Sequence, residues 1–447
     1  MRRLAVLIAL AGSCLAAFEG VKRLEWTDPQ GRQPMTHAIW AAARSPTLGR
    51  ERIGCVAEAQ SDSIVDIVIN AELYPHISAE IAQYQADLET TGYSVRIDTM
   101  RGTNAPALRT HLAGITNLVG TVLVGELPVA WYETNEEYPI DCYFMDLDGT
   151  WGDSDADGLY DSHTGNTAPD IWVGRLYARP LTWDDEVRLV KRYFAKDHAY
   201  RRGNLSLPNR GLTYVDDDFT GGGAWNLDLV YSDVTLVQNN DTTCAADYRA
   251  RLAAGYEWIQ LCSHSCPWGH TFKRGGGYAG TVFNTDIYGI RPHAHFYNLY
   301  CCSGSRFVEE NYSAGWDIFQ DDYGLCVVGF ASTGGMYPTG DFYTALAQGK
   351  TIGEALKYYL ELHTDPEYWG LNLLGDPTLR PHNNALGPMS GPDPKSPTDF
   401  GHVPDASEVV CTDPETDDSP RLLAMPDGKV WAVWKSGRST VNGRFDI

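Results

Sequence analysis

The run Leu118-Val-Gly-Thr-Val-Leu-Val-Gly125 contains no charged residue and no alternation of polar with apolar side chains. A strand built from it has to be covered on both faces, the situation of a parallel sheet with helices on either side. The segments before it supply that setting. Ile64-Val-Asp-Ile-Val-Ile69 reads as a strand, and Ile77, Ile81, Tyr84 and Leu88 recur at helical spacing up to a closing Gly92. Ser94 to Thr99 reads as a second strand, and a helix entered at Pro106 runs to Ile115. This is a β-α-β-α-β half.

A second half follows an acidic insertion. Strands are expected at Asp170 to Leu176, Gly211 to Val215, Tyr256 to Cys262, His295 to Cys301 and Leu325 to Phe330, with helices at Thr182 to His198, Asp341 to Gln348 and Ile352 to Leu362. The alternation predicts an α/β/α sandwich with a mainly parallel sheet in two halves. The expected organisation is a signal segment 1–17, an extension 18–62, a first α/β subdomain 63–205 with the acidic loop, and a second at 206–383. A linker and an incomplete propeller- or sandwich-like β-repeat fill 384–447, where two strands flank an Asp-Gly turn in Leu422-Leu-Ala-Met-Pro-Asp-Gly-Lys-Val-Trp-Ala-Val-Trp434.

Arg2 and Arg3, a short apolar run and small residues up to Ala17 have the layout of a secretory signal, too short for a membrane span. Export is therefore expected, to the medium or the cell surface. Without that segment 33 basic side chains face 58 acidic ones, a formal charge of −25. Nucleic acid is excluded as a partner by charge, and cations are attracted. No later stretch is apolar enough to cross a bilayer. Nine cysteines remain after Cys14 is removed, an odd number that suits a catalytic thiol.

Chemistry concentrates at two expected strand ends, Leu261-Cys-Ser-His-Ser-Cys-Pro-Trp-Gly-His270 and Asn298-Leu-Tyr-Cys-Cys-Ser-Gly-Ser-Arg-Phe307. In an open α/β sheet ligands are met at the carboxyl ends of strands. Cys302 is the expected nucleophile, followed by the small residues Ser303, Gly304 and Ser305, and His264 is its partner; Cys301 faces the other way by strand alternation. His270, His293 and His295 are weaker rivals of His264. Two other readings stand beside this one: both cysteines as core or disulfide-bonded sulfurs, or zinc held by Cys262, His264 and Cys266 with Cys301 or Cys302.

Asp153-Ser-Asp-Ala-Asp-Gly-Leu-Tyr-Asp161 places carboxylates at the first, third, fifth and ninth positions of an EF-hand-type loop, with Gly158 at the sixth. Asp153, Asp155, Asp157 and Asp161 are thus candidate ligands of a structural calcium ion. Thr164 occupies the place of the usual bidentate Glu, so a further ligand is expected, Asp146 or Asp148.

With the stretches Asp146 to Gly158, Pro169-Asp-Ile-Trp-Val-Gly-Arg175 and Leu371-Asn-Leu-Leu-Gly-Asp-Pro-Thr-Leu379, the chain from about 63 to 380 resembles the gingipain-like cysteine peptidases, which have a caspase-like fold. Ser265 stands where that family often has Gly. The resemblance implies an endopeptidase acting on protein or peptide substrates through a Cys/His dyad and a thioester. It further implies Cys302 as nucleophile, the amides of Ser265 and Cys302 as oxyanion donors, and an acidic residue beside His264, chosen as Asp217 over Asp216 and Asp218. Asp228 is implied as the carboxylate of a pocket for arginine before the scissile bond; the plainer reading is an exposed turn residue. The rival functions are an inert or zinc-binding module of the same fold, and a calcium-dependent surface adhesion protein.

Overall fold

The computed structural model describes residues 28–44, 52–59, 62–221 and 224–382, and the backbone of the strands Arg421–Ala424 and Val430–Val433. The signal segment and most of the linker expectation lie outside the described residues. The two late strands pair antiparallel, from Arg421 with Val433 to Ala424 with Val430.

The main unit is built on an eleven-stranded sheet. Its strands, in chain order, are β1 (Arg52–Ala57), β2 (Ile64–Asn70), β3 (Ser94–Arg101), β4 (Leu118–Val124), β5 (Trp172–Leu176), β6 (Gly211–Val215), β7 (Val234–Val237), β8 (Trp258–Cys262), β9 (Phe296–Tyr300), β10 (Cys326–Phe330) and β11 (Leu371–Gly375). Their order across the sheet is β1-β3-β2-β4-β5-β11-β10-β9-β8-β6-β7. The helices are α1 (His37–Ala43), α2 (Tyr74–Thr90), α3 (Ala105–Ala113), α4 (Cys142–Met145), α5 (Glu186–Arg201), α6 (Ala245–Leu252), α7 (Asn284–Ile290), α8 (Ser313–Phe319), α9 (Gly340–Ala347) and α10 (Ile352–Leu362).

Alternate residues of each strand feed two hydrophobic cores. Ile67, Tyr214, Leu261, Leu299 and Val327 point to one face, under α2, α5, α6 and α8. Val68, Trp258, Tyr300, Val328 and Leu373 point to the other, under α3, α9 and α10. This is the three-layer α/β/α sandwich expected from the apolar runs.

Two strands run against the parallel grain. The edge strand β1 pairs antiparallel with β3, and β11 pairs antiparallel with β10 and meets β5 at Leu374 and Arg175. The second reversal has a simple origin. Helices α9 and α10 pack as a pair between β10 and β11, so the chain goes down and back and enters β11 at the edge where β10 ended. The carboxyl ends of the two halves share one edge: Tyr312, beyond β9, donates its hydroxyl to the carbonyl of Tyr177, beyond β5, and the amide of Asn311 donates to Pro180 O.

Candidate active site

Strands β8 and β9 are parallel neighbours, and Cys262 is paired with Tyr300 at their carboxyl ends. His264 and Cys302 each stand two residues beyond that pair, so chain register alone brings them to adjacent positions on one edge. Ser265 ties the two together: its hydroxyl donates to the carbonyl of Cys302. His264 to Cys266 opens a small three-stranded antiparallel sheet with Gly269–Arg274 and Gly277–Phe283, which fixes the histidine backbone.

The carboxylate on His264 is Asp218, not Asp217. Asp218 Oδ2 lies 2.7 Å from His264 Nε2 and also accepts from Lys273 Nζ at 2.6 Å. After Val215 the chain leaves the sheet into a 3-10 turn, Asp217–Phe219, capped by the Asp216 side chain on the amide of Asp218. That turn swings Asp218 to the imidazole and points Asp217 away, where its Oδ2 accepts from the amide of Gly276 at 2.8 Å. Burial would raise Asp218, but Lys273 and then His264 hold its carboxyl below the usual range. Burial also lowers His264 despite the pull of Asp218, so the imidazole is neutral at neutral pH. Its ring leans on Phe219 at 4.9 Å. Asp216 is fully buried and pushed up to about 7 by burial, while its Oδ2 accepts from the amide of Lys273.

Cys302 is half-buried, whereas Cys301 points into the core, 2 % exposed, with its sulfur 3.7 Å from Nδ1 of the buried His270. Burial raises the Cys301 thiol far and lowers His270 to about 4, so that pair is a neutral thiol beside a neutral imidazole. Ser303, directly after Cys302, has φ +56°, a left-handed conformation that a non-glycine residue adopts only under constraint. The constraint is visible. The amide of Ser303 donates to Ser332 O and that of Ser305 to Phe330 O, so these two amides are committed to the scaffold.

Arg306 anchors this turn. Its guanidinium is 3 % exposed and donates to Glu309, to the carbonyl of Ala331 and, through Nη2, to the carbonyls of Met35 and Glu137 at 2.7 Å each. Met35 returns its own amide to Glu309 Oε1 at 2.7 Å. The segment before α1 thus belongs to the catalytic edge, and Arg32 stacks over Trp268 at 4.2 Å. Residues 18–62 showed no period in the sequence, and nothing there marked Met35 as a backbone partner.

Asp228 is exposed in the turn Leu227–Leu229, where Leu227 packs over Gly211 at the start of β6 and Trp225 lies 5.8 Å from the Tyr300 ring. An exposed turn is the place the plainer reading gave it. Among the described residues, Cys262, His264, Cys266, Cys301 and Cys302 do not converge as a metal-ligand group. Cys262 lies in one core while Cys301 lies in the other, because they occupy opposite strand parities. No disulfide forms among the described cysteines.

The family model for peptidase family C25 matches residues 99–382, from within β3 to beyond β11 and through both strand ends just described. The chain belongs to peptidase family C25. It is a cysteine-type peptidase by that membership, with protein as its substrate class. No curated protein matches the chain. Among the described residues, no helix is long and apolar enough to cross a membrane.

The acidic loop is organised around its own backbone. Asp153 accepts from the amides of Ala156 at 2.7 Å and Gly158 at 3.0 Å, and Asp161 accepts from that of Ser154 at 3.0 Å. Asp153, Asp155 and Asp157 present carboxylate oxygens within 4.8 Å of one another, and Glu133 does so with Asp155 and Asp161. The carboxylate brought to this cluster from elsewhere in the chain is Glu133, carried in by the hairpin Ala130–Glu133 and Glu137–Ile140. Asp146 is turned to His163 and to the amides of Asp148 and Gly149, and it groups with Asp148 and Asp170 instead. Burial and then the charges of Asp157, Asp155 and Asp161 push Glu133 up, the response of a carboxylate in an uncompensated acidic cluster.

Proposed function

We propose that this family member is an exported cysteine endopeptidase working through Cys302 and His264. The observation that carries the reading is the matched offset of the two residues beyond paired strand ends, with Asp218 on the imidazole and Ser265 on the Cys302 carbonyl. Asp218 holds the proton on Nε2, which leaves Nδ1 to exchange a proton with thiol and substrate. The Cys302 sulfur attacks the peptide carbonyl, the amides of Ser265 and Cys302 receive the oxyanion, and His264 protonates the departing amine. Water then attacks the thioester, giving up its proton to His264 and releasing the acid and the thiol. Export rests on the amino-terminal layout of Arg2, Arg3 and the apolar run to Ala17.

The test is covalent. A peptidyl chloromethyl ketone is expected to add one inhibitor mass on the tryptic peptide containing Cys302, in step with loss of hydrolysis of fluorogenic peptides. A label on another cysteine, or inactivation without a label on Cys302, rejects the assignment.

Asp218 and Asp217 separate cleanly by mutation. Asp218→Asn is expected to lower kcat/KM about ten- to a hundredfold, the worth of one charged hydrogen bond. Asp217→Asn should stay within about twofold. Equal losses in steady-state assays would mean that the acidic turn acts as a field and not through one contact.

In the same reading the acidic loop holds a structural calcium ion through Asp153, Asp155, Asp157 and Asp161, with Glu133 completing the oxygen set. Oxygen donors alone suit calcium, and among the described residues no cationic side chain pairs with the carboxylates gathered there. Chelation is expected to lower the melting temperature and to open 146–161 to proteolysis; at a hundredfold excess over Kd the ion contributes about 2.7 kcal/mol. Unfolding curves that superimpose with and without chelator would remove calcium from the account.

A further inference from the structure

A second group of ligand-type side chains lies in the other half of the sheet. Asp66 on β2 and Asp98 on β3 are fully buried on the face covered by α3, and His111 of α3 reaches down to both. The single atom His111 Nε2 is 2.8 Å from Asp98 Oδ2 and 3.3 Å from Asp66 Oδ2. One ring nitrogen carries at most one hydrogen, and the shorter contact claims it for Asp98.

Asp98 is also served by Arg96, whose Nε donates to Oδ2 at 2.6 Å, while the other end of that guanidinium goes to Glu58. Asp66 is left out. Both of its carboxylate oxygens are buried and neither has a hydrogen-bond partner. A carboxylate taken out of water without a donor is costly, and its usual compensations are an ion pair or a metal.

The three ligand atoms, two carboxylate oxygens and one imidazole nitrogen, lie within 4.8 Å of one another. In a tetrahedral site with bonds of about 2.0–2.1 Å neighbouring ligand atoms stand roughly 3.3 Å apart, the separation found between His111 and Asp66. An imidazole beside two carboxylates selects a transition metal over calcium. His111 is partly exposed, which leaves one side of the group open to solvent.

We propose that Asp66, Asp98 and His111 bind a divalent transition-metal ion of the zinc class. The ion fastens α3 to β2 and β3, and its fourth position faces solvent. The site is independent of the catalytic edge: five to six strand spacings separate β2 and β3 from β9, roughly 25 Å.

The test uses the full chain, freed of metal by chelation and kept in excess calcium so that the acidic loop is occupied. Zinc titration by calorimetry is expected to show one tight site in the wild type, and cobalt(II) should give visible ligand-field absorption that zinc abolishes. Asp66→Asn and His111→Gln should lose that site and the zinc-dependent rise in melting temperature, with peptide hydrolysis unchanged. The cobalt spectrum of the wild type keeps the test valid if a variant folds poorly. Absence of the cobalt band, or zinc uptake that persists in both variants, would show that the group is a self-contained ion triad and would overturn the proposal. Neither result bears on Cys302, whose labelling is read separately.

Discussion

Cys302→Ala is expected to abolish hydrolysis and chloromethyl ketone labelling, while Cys301→Ala leaves turnover close to wild type. The difference follows from parity. Cys301 points into the core beside His270, and removing its sulfur leaves a small void costing about 1 kcal/mol. In the proposed mechanism, removing the Cys302 sulfur deletes the atom that forms the covalent intermediate, and the residual rate is set by binding and oxyanion donors alone. The assay pairs initial rates on fluorogenic peptides with thermal unfolding of both variants. Comparable loss of activity in two well-folded variants would mean that the strand end is read in the wrong register.

The second large effect is expected at Arg306, which touches no substrate. Arg306→Met removes every donor to the carbonyls of Met35, Glu137 and Ala331 supplied by that guanidinium, and it leaves Glu309 buried beside an apolar side chain. Stranding one partner of a buried ion pair costs on the order of 3–5 kcal/mol. Stability should fall by that amount in denaturant titration, and kcat should fall with it, because the turn that presents Cys302 hangs on this residue. The double change Arg306→Met with Glu309→Leu should recover part of the stability by removing the unpaired charge, yet little of the turnover, since the three carbonyls still lack their donor. A double variant with full kcat would show that Arg306 serves stability alone.

Much of this molecule was open to reading from the chain. The uninterrupted apolar strands and the spacing of Ile77, Ile81, Tyr84 and Leu88 announced a sheet covered on both faces, because burial on both sides leaves no other pattern. His264 and Cys302 stood out as candidates for a related reason: small and reactive residues break an apolar run where the strand ends. Other features left no such mark. The apolar run of β11 is the same whichever way it is threaded, so its reversal shows only once α9 and α10 are seen to pair. Strand alternation cannot choose among Asp216, Asp217 and Asp218, because the chain has already left the sheet for a 3-10 turn. Helix α8 is buried on every side and has no polar face to give it a period. The links from Met35 to Arg306 and from Glu133 to the acidic loop join residues far apart in sequence through backbone groups or a hairpin, and composition carries no trace of either.

The shared carboxyl edge of the two half-sheets also makes the scaffold divisible for the protein engineer. The turns that enter β3 and β4 lie at the opposite, amino edge, a full strand length from the one bearing Cys302. The stretch between α2 and β3, with Gly92 exposed at φ +97°, is such a turn. A fluorophore or tether grafted there would ride on the back of the molecule and leave the approach of a polypeptide to the front unobstructed.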